Sequence, residues 1–153
     1  MTNYALLNEQ LVALTDGIPH PISNLANAAS LLWHTLPGLN WAGFYILQGK
    51  KLILGPFQGK TACIEIPVGR GVCGTAAAED RTLLISDVHQ FPGHIACDSA
   101  SNSEIVIPLH LGGNVVGVLD LDSPEYDRFS EEDRRGLEAF AASLEKQVFL
   151  PKL

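Results

Sequence analysis

Ser103-Glu104-Ile105-Val106-Ile107-Pro108-Leu109-His110-Leu111-Gly112-Gly113-Asn114-Val115-Val116-Gly117-Val118-Leu119-Asp120-Leu121-Asp122-Ser123 is the stretch that decides the fold. Two apolar runs, 103–109 and 115–121, flank the turn Gly112-Gly113-Asn114, which is the pattern of paired antiparallel strands. On a strand, side chains alternate between faces, so Asp120 and Asp122 share one face while Leu119 and Leu121 point into a core. An acidic pair on a strand is ordinarily a solvated face. Here the strand is apolar on both sides, which admits burial of both carboxylates.

Upstream of this pair lies Asp87-Val88-His89-Gln90-Phe91-Pro92-Gly93-His94-Ile95-Ala96-Cys97-Asp98-Ser99-Ala100-Ser101-Asn102, a polar, punctuated loop. It is long for a compact domain, and loops of this kind commonly carry function. Before it, Leu83–Ser86 reads as a brief strand, and Val68-Gly69-Arg70-Gly71-Val72 leads into a short helix from Cys73 to Glu79. Residues 62–66 read as a short strand ended by Pro67. Asn40–Leu47 and Lys51–Pro56 read as a hairpin across Gln48-Gly49-Lys50. The N-terminal part, 3–37, is expected to be helical. Tyr4, Leu6, Leu7, Leu11 and Leu14 keep helical spacing up to Gly17, and a second Ala- and Leu-rich helix runs from Ser23 or Asn24 to about Leu36, stopped by Pro37-Gly38. A last helix over 130–148 starts with Ser130 and Asp133 in capping-box positions and carries the apolar stripe Leu137, Phe140, Leu144, Val148. The sum is an α+β domain, with a central antiparallel sheet of about six strands over 40–123 and the terminal helices packed on one face.

Composition narrows the function. One domain is expected for 153 residues, and a chain of that size buries a core without staples. Hydrophobic residues at 46% against 18% charged exclude a disordered chain. A formal charge of −7 repels phosphate backbones and anionic lipids, so neither nucleic acid nor membrane is an expected partner. No apolar run approaches a membrane span, and Met1-Thr2-Asn3-Tyr4 does not read as a signal peptide, so the cytosol is the expected compartment. There the three cysteines, Cys63, Cys73 and Cys97, are expected to rest as thiols, and an odd count fits badly with a disulfide framework. Any one cysteine is more often a small buried hydrophobe than a reagent. Cys97 departs from that by its place in the long polar loop, beside Asp98 and three residues after His94. His89, His94 and Cys97 have only loosely metal-like spacing, and no metal is expected. Gly69-Arg70-Gly71 and Gly112-Gly113 are more simply turns than phosphate cradles.

The closing strand pair resembles the end of GAF domains. A sharper match runs from Trp41 to Asp122. Asn40-Trp41-Ala42-Gly43-Phe44-Tyr45, Gly55-Pro56-Phe57-Gln58-Gly59-Lys60, Gly69-Arg70-Gly71-Val72-Cys73-Gly74 and His94-Ile95-Ala96-Cys97-Asp98 occur together and in order. With the intervals between the three cysteines, they resemble the free methionine-(R)-sulfoxide reductase family, a GAF fold turned into an enzyme. The resemblance implies Cys97 as the attacking thiol, Cys63 as its resolving partner in an intramolecular disulfide, and Cys73 as an auxiliary thiol or a buried small residue. It implies that Glu104, Asp120 and Asp122 bind the substrate ammonium and polarise or protonate the sulfoxide oxygen; because clustered acids raise one another's pKa, one of the three is expected to be protonated when substrate is bound. Trp41 would meet the terminal methyl, and backbone N–H groups around Ile95 to Cys97 would hold the substrate carboxylate. Phe44 and Tyr45 are read as ordinary core aromatics. No bound cofactor is implied; the reductant is an external dithiol, thioredoxin, recharged by an NADPH-dependent reductase. Two alternatives remain open on the residues alone: a GAF sensor that binds a small ligand without turnover, and a redox switch acting on a partner protein. A homodimer through the terminal helices is also left open, since Leu6, Leu7, Leu11, Leu14, Leu137 and Leu144 suit either an interface or a core.

Overall fold

The computed structural model describes residues 1–94 and 100–147. Its elements run in the order α1 (Tyr4–Thr15), α2 (Pro21–Thr35), β1 (Trp41–Gln48), β2 (Lys51–Gly59), β3 (Glu65–Pro67), α3 (Gly71–Glu79), β4 (Leu83–Ile85), a 3-10 turn (Val88–Gln90), β5 (Ser103–Leu111), β6 (Asn114–Ser123) and α4 (Glu131–Gln147). The strands form one antiparallel sheet in the order β3-β2-β1-β6-β5-β4.

Alternation along the central strands divides the core in two. Ala42, Phe44 and Ile46 of β1, Ile105, Ile107 and Leu109 of β5, and Leu119 and Leu121 of β6 meet Leu7, Leu11, Leu25, Leu32, Leu137, Phe140 and Leu144 from α1, α2 and α4. Each of these large apolar side chains contributes roughly 1.5–3 kcal/mol on full burial. The opposite face carries Trp41, Tyr45, Val106 and Val118, covered by Val72, Cys73, Ala76 and Ala77 of α3. The terminal helices therefore share one face as expected, and α3 alone among the described helices lies on the other. Leu7, Leu11, Leu137 and Leu144 are core residues, which leaves Leu6 and Leu14 as the exposed leucines of α1.

Local chemistry explains the element ends. Ser130 and Asp133 form the expected reciprocal cap of α4: the Asp133 N–H donates to Ser130 Oγ at 3.2 Å, and the Ser130 N–H to Asp133 Oδ2 at 2.8 Å. Pro21 occupies the first helical position of α2, where a missing N–H costs nothing, so this helix starts earlier than Ser23. β2 continues past Pro56 to Gly59 because Gly55 and Pro56 fall in a bulge, between the pairings Tyr45↔Leu54 and Gly43↔Phe57. β3 begins only at Glu65. Ahead of it the ladder is carried by one bond, from the Leu54 N–H to the Ile64 carbonyl at 2.9 Å. No helix among the described residues is long and apolar enough to cross a membrane.

Candidate active site

The cavity on the α3 face follows from two cross-strand rows that run over β1, β6 and β5. Trp41 pairs with Asp122, and Asp122 with Glu104. One row further in, Gly43 pairs with Asp120, and Asp120 with Val106. Gly43 carries no side chain where a Cβ would overlap Phe57, which lets Phe57 come close to this row and stack on Trp41. α3 bridges the gap from above, entered through Gly69 and Gly71, whose φ values of +91° and +66° suit the turn role expected for them. The result is an open-mouthed cavity, lined among others by Trp41, Tyr45, Cys73, His94, Glu104, Asp120 and Asp122.

Trp41 is buried, stacks on Phe57 and Tyr45 at ring separations of 5.2 and 5.8 Å, and donates its indole N–H to the Lys60 carbonyl at 3.1 Å. With its polar edge satisfied, it offers the cavity an apolar flank. Glu104 and Asp120 are 7% and 5% exposed, and Asp122 is half-buried. Burial pushes the Glu104 and Asp120 carboxyls well above the ordinary carboxylate range. The Asp120 charge adds to this at Glu104, and the Asp122 charge at Asp120. Both effects favour the protonated form of these two carboxyls relative to free ones. Asp120 Oδ1 is buried without a hydrogen-bond partner, an expensive state for a carboxylate oxygen that a proton or a ligand cation relieves.

Cys73 is buried in the first turn of α3, with Sγ 3.9 Å from Glu104 Oε2. Burial, then the charges of Asp120 and Glu104, push its thiol well up. It is a free thiol with the environment of an inert cysteine rather than of a nucleophile. Cys63 is half-buried and disulfide-bonded, against the expectation of a resting thiol. The expected nucleophile Cys97, with Ile95 and Asp98 beside it, lies outside the described residues. The flanks of that loop are fixed: the Val88 N–H donates to the Asn102 carbonyl at 2.9 Å and the Asn102 N–H to the Ser123 carbonyl at 2.8 Å, so both arms start from the carboxylate end of β5 and β6.

Tyr45 is the residue that sequence reasoning missed. Its hydroxyl donates to the Cys63 carbonyl at 2.9 Å, and its ring forms part of the cavity wall. The signal was present in the strand period, since Tyr45 lies four residues after Trp41 and must share its face. Phe44, read the same way, is core. His94 lines the cavity, whereas His89 pairs with Asp87 at 2.8 Å on the outside, so the two histidines do not converge. His110, without an assigned partner in the sequence, bridges Asp80 at 2.5 Å and Glu145 at 2.8 Å.

A GAF domain model matches residues 4–148. The chain is 54% identical to the Escherichia coli free methionine-R-sulfoxide reductase over 94% of its own length and 87% of that protein. It is 55% identical to Bacillus subtilis protein YtsP, over 95% and 91% of the two chains. The structure of fRMsr of Staphylococcus aureus in complex with substrate superimposes with a TM-score of 0.92 at 50% identity, covering 96% of each chain. Fold, cavity and similarity agree: this chain is a GAF-domain protein and belongs to the free methionine-R-sulfoxide reductase family.

Proposed function

We propose that the protein is an oxidoreductase that reduces free L-methionine-(R)-sulfoxide to L-methionine by thiol/disulfide chemistry. The observation that carries the reading is the buried Glu104–Asp120–Asp122 cluster beneath the Trp41 flank. A proton source and an anionic seat for an ammonium lie in one cavity, beside a loop that holds a cysteine. The membership of the family supports the same substrate.

In this mechanism the Cys97 thiolate attacks the sulfoxide sulfur while a protonated carboxyl of the cluster delivers its proton to the oxygen. The hydroxyl then passes from the methionine sulfur to the Cys97 sulfur while the new sulfur–sulfur bond breaks with its electron pair returning to the methionine sulfur, so Cys97 is left as a sulfenic acid and methionine departs. The Cys63 thiol then attacks that sulfur and releases water, forming a disulfide. Thioredoxin, or another dithiol, restores both thiols, so that two thiol hydrogens and the sulfoxide oxygen leave as water in each cycle. The disulfide-bonded state of Cys63 supports its part as the resolving thiol. Tyr45 holds the Cys63 main chain, and the free amino acid is selected because both of its charged ends are enclosed: the ammonium by the carboxylates, and the carboxylate by N–H groups around Ile95 to Cys97.

The test is incubation of the reduced protein with both sulfoxide epimers of free L-methionine sulfoxide and a dithiol, followed by chromatographic separation. Loss of the R epimer with matching formation of methionine is expected. Persistence of both epimers overturns the reading, and binding of the R epimer without its loss would identify a sensor.

A further inference from the structure

The floor of the cavity holds three donor atoms whose arrangement goes beyond recognition of an ammonium. Cys73 Sγ and one carboxylate oxygen each from Glu104 and Asp120 lie within 4.8 Å of one another, and all three residues are buried. Tetrahedral ligands at ordinary zinc–sulfur and zinc–oxygen bond lengths stand roughly 3.3–3.8 Å apart; the observed Cys73–Glu104 separation of 3.9 Å is already close to that. Small side-chain rotations bring in the third ligand, since Glu104 and Asp120 are fixed on adjacent strands and Cys73 on the first turn of α3. Independently of the cluster's composition, Asp120 Oδ1 is shut away from water with no hydrogen-bond partner, and its residue lines the cavity. Arg70 and His94 line the same cavity, but among the described residues no Lys, Arg or His forms an ion pair with Glu104 or Asp120.

We propose that Cys73, Glu104 and Asp120 form a site for a thiophilic divalent cation of the zinc type, which excludes the amino-acid substrate. Three protein ligands with the fourth position open toward the cavity are the usual form of a non-structural zinc site. The sulfur donor favours zinc-like ions over magnesium or calcium, which take oxygen alone. Binding is a ligand exchange with no change of oxidation state: the cation displaces the thiol proton and the carboxyl protons, which pass to solvent, so affinity rises with pH. Existence of the site is independent of the reductase reading; its inhibitory role rests on it.

The probe is Co²⁺, added to the full chain carrying Cys63→Ser and Cys97→Ser so that Cys73 is the remaining thiol, with circular dichroism to verify folding. One cobalt per chain is expected, with a near-ultraviolet sulfur-to-cobalt band that disappears when Cys73→Ser is added. Asp120→Asn is expected to weaken binding by at least the roughly 10- to 100-fold that loss of an outer-shell partner costs. Free methionine sulfoxide is expected to lower the apparent cobalt affinity, and Zn²⁺ to raise KM without changing kcat in the native enzyme. A folded protein without the band, or a band that survives Cys73→Ser, overturns the proposal, as does cobalt binding indifferent to methionine sulfoxide in a protein that reduces it. A protein that fails to reduce methionine sulfoxide yet shows the cysteine-dependent band overturns the function proposed above and leaves the cation site standing.

Discussion

Asp120→Asn is expected to stabilise the fold while removing activity, and the size of the gain should depend on pH in a defined direction. Asp120 is 5% exposed, one of its oxygens has no donor, and burial followed by the Asp122 charge holds its carboxyl well above the ordinary range. In the unfolded chain the same group ionises near pH 3.9. Above that pH the folded state binds more protons at this position than the unfolded state, so the contribution of Asp120 to stability falls as pH rises through the folded value. Asparagine keeps the shape, ends the proton linkage, and offers an N–H₂ to the neighbouring Glu104. A neutral substitute at a functional, strained position commonly gains about 1–2 kcal/mol. For a domain of this length each kcal/mol moves Tm by roughly 2–4 °C, giving about 2–8 °C in all. Urea and thermal melts of both proteins at pH 4.5 and pH 8 measure it. A variant less stable than the parent at pH 8, or a gain that shrinks between pH 4.5 and pH 8, refutes the account of a buried, proton-holding cluster.

Three further perturbations test other parts of the molecule. Burial opposes charge on His110, but its bonds to Asp80 and Glu145 outweigh this and raise it. Its stabilising effect is therefore full below about pH 6.5 and fades as pH rises through the folded value. His110→Asn should cost under about 1 kcal/mol at pH 6, because the ring is 35% exposed and solvent screens it, and should converge on the parent in melts at high pH; a constant difference would contradict the linkage. Tyr45→Phe keeps the ring stacked on Trp41 but removes the bond to the Cys63 carbonyl. A neutral hydrogen bond worth about 0.5–1.5 kcal/mol corresponds to roughly a 2- to 13-fold slower disulfide step, read in single-turnover experiments, with release of the first methionine unchanged; equal slowing of both steps would show that Tyr45 acts on substrate instead. Gly136→Ala would gain up to about 1 kcal/mol of helix propensity in α4, yet the added Cβ overlaps the Tyr4 ring, whose hydroxyl holds Asp133 Oδ1 at 2.5 Å. A net loss of about 1–3 kcal/mol in urea melts is expected, and a gain would mean that Tyr4 moves aside freely.

Much of the fold was legible because its signals are local. The alternation of Val118, Leu119, Asp120, Leu121 and Asp122 names both faces of β6 without any knowledge of its neighbours. Ser130 and Asp133 announce the start of α4 within four residues, and Pro37-Gly38 the end of α2. Boundaries failed where a neighbouring strand decided them. β2 runs through Pro56 only because the partner strand accepts a bulge at Phe44, and β3 starts late because residues before Glu65 have a single ladder bond to rely on.

The chemistry divides along the same line. Sequence alone determined which residues are available: two acids on one strand face, Glu104 on the partner strand, Trp41 at the head of another, and a cysteine in a long polar loop. It determined these because residue type and strand period are properties of the chain itself. Only the tertiary structure decided that Gly43 stands beside Asp120, that Cys73 lies 3.9 Å from Glu104, that Tyr45 reaches the Cys63 carbonyl, and that His110 closes on two acids from different helix ends. Those facts depend on cross-strand register and on where α3 and α4 settle over the sheet. Both are fixed by packing between segments far apart in the chain, and the upward shift of the Glu104 and Asp120 carboxyls follows from the burial that this packing imposes.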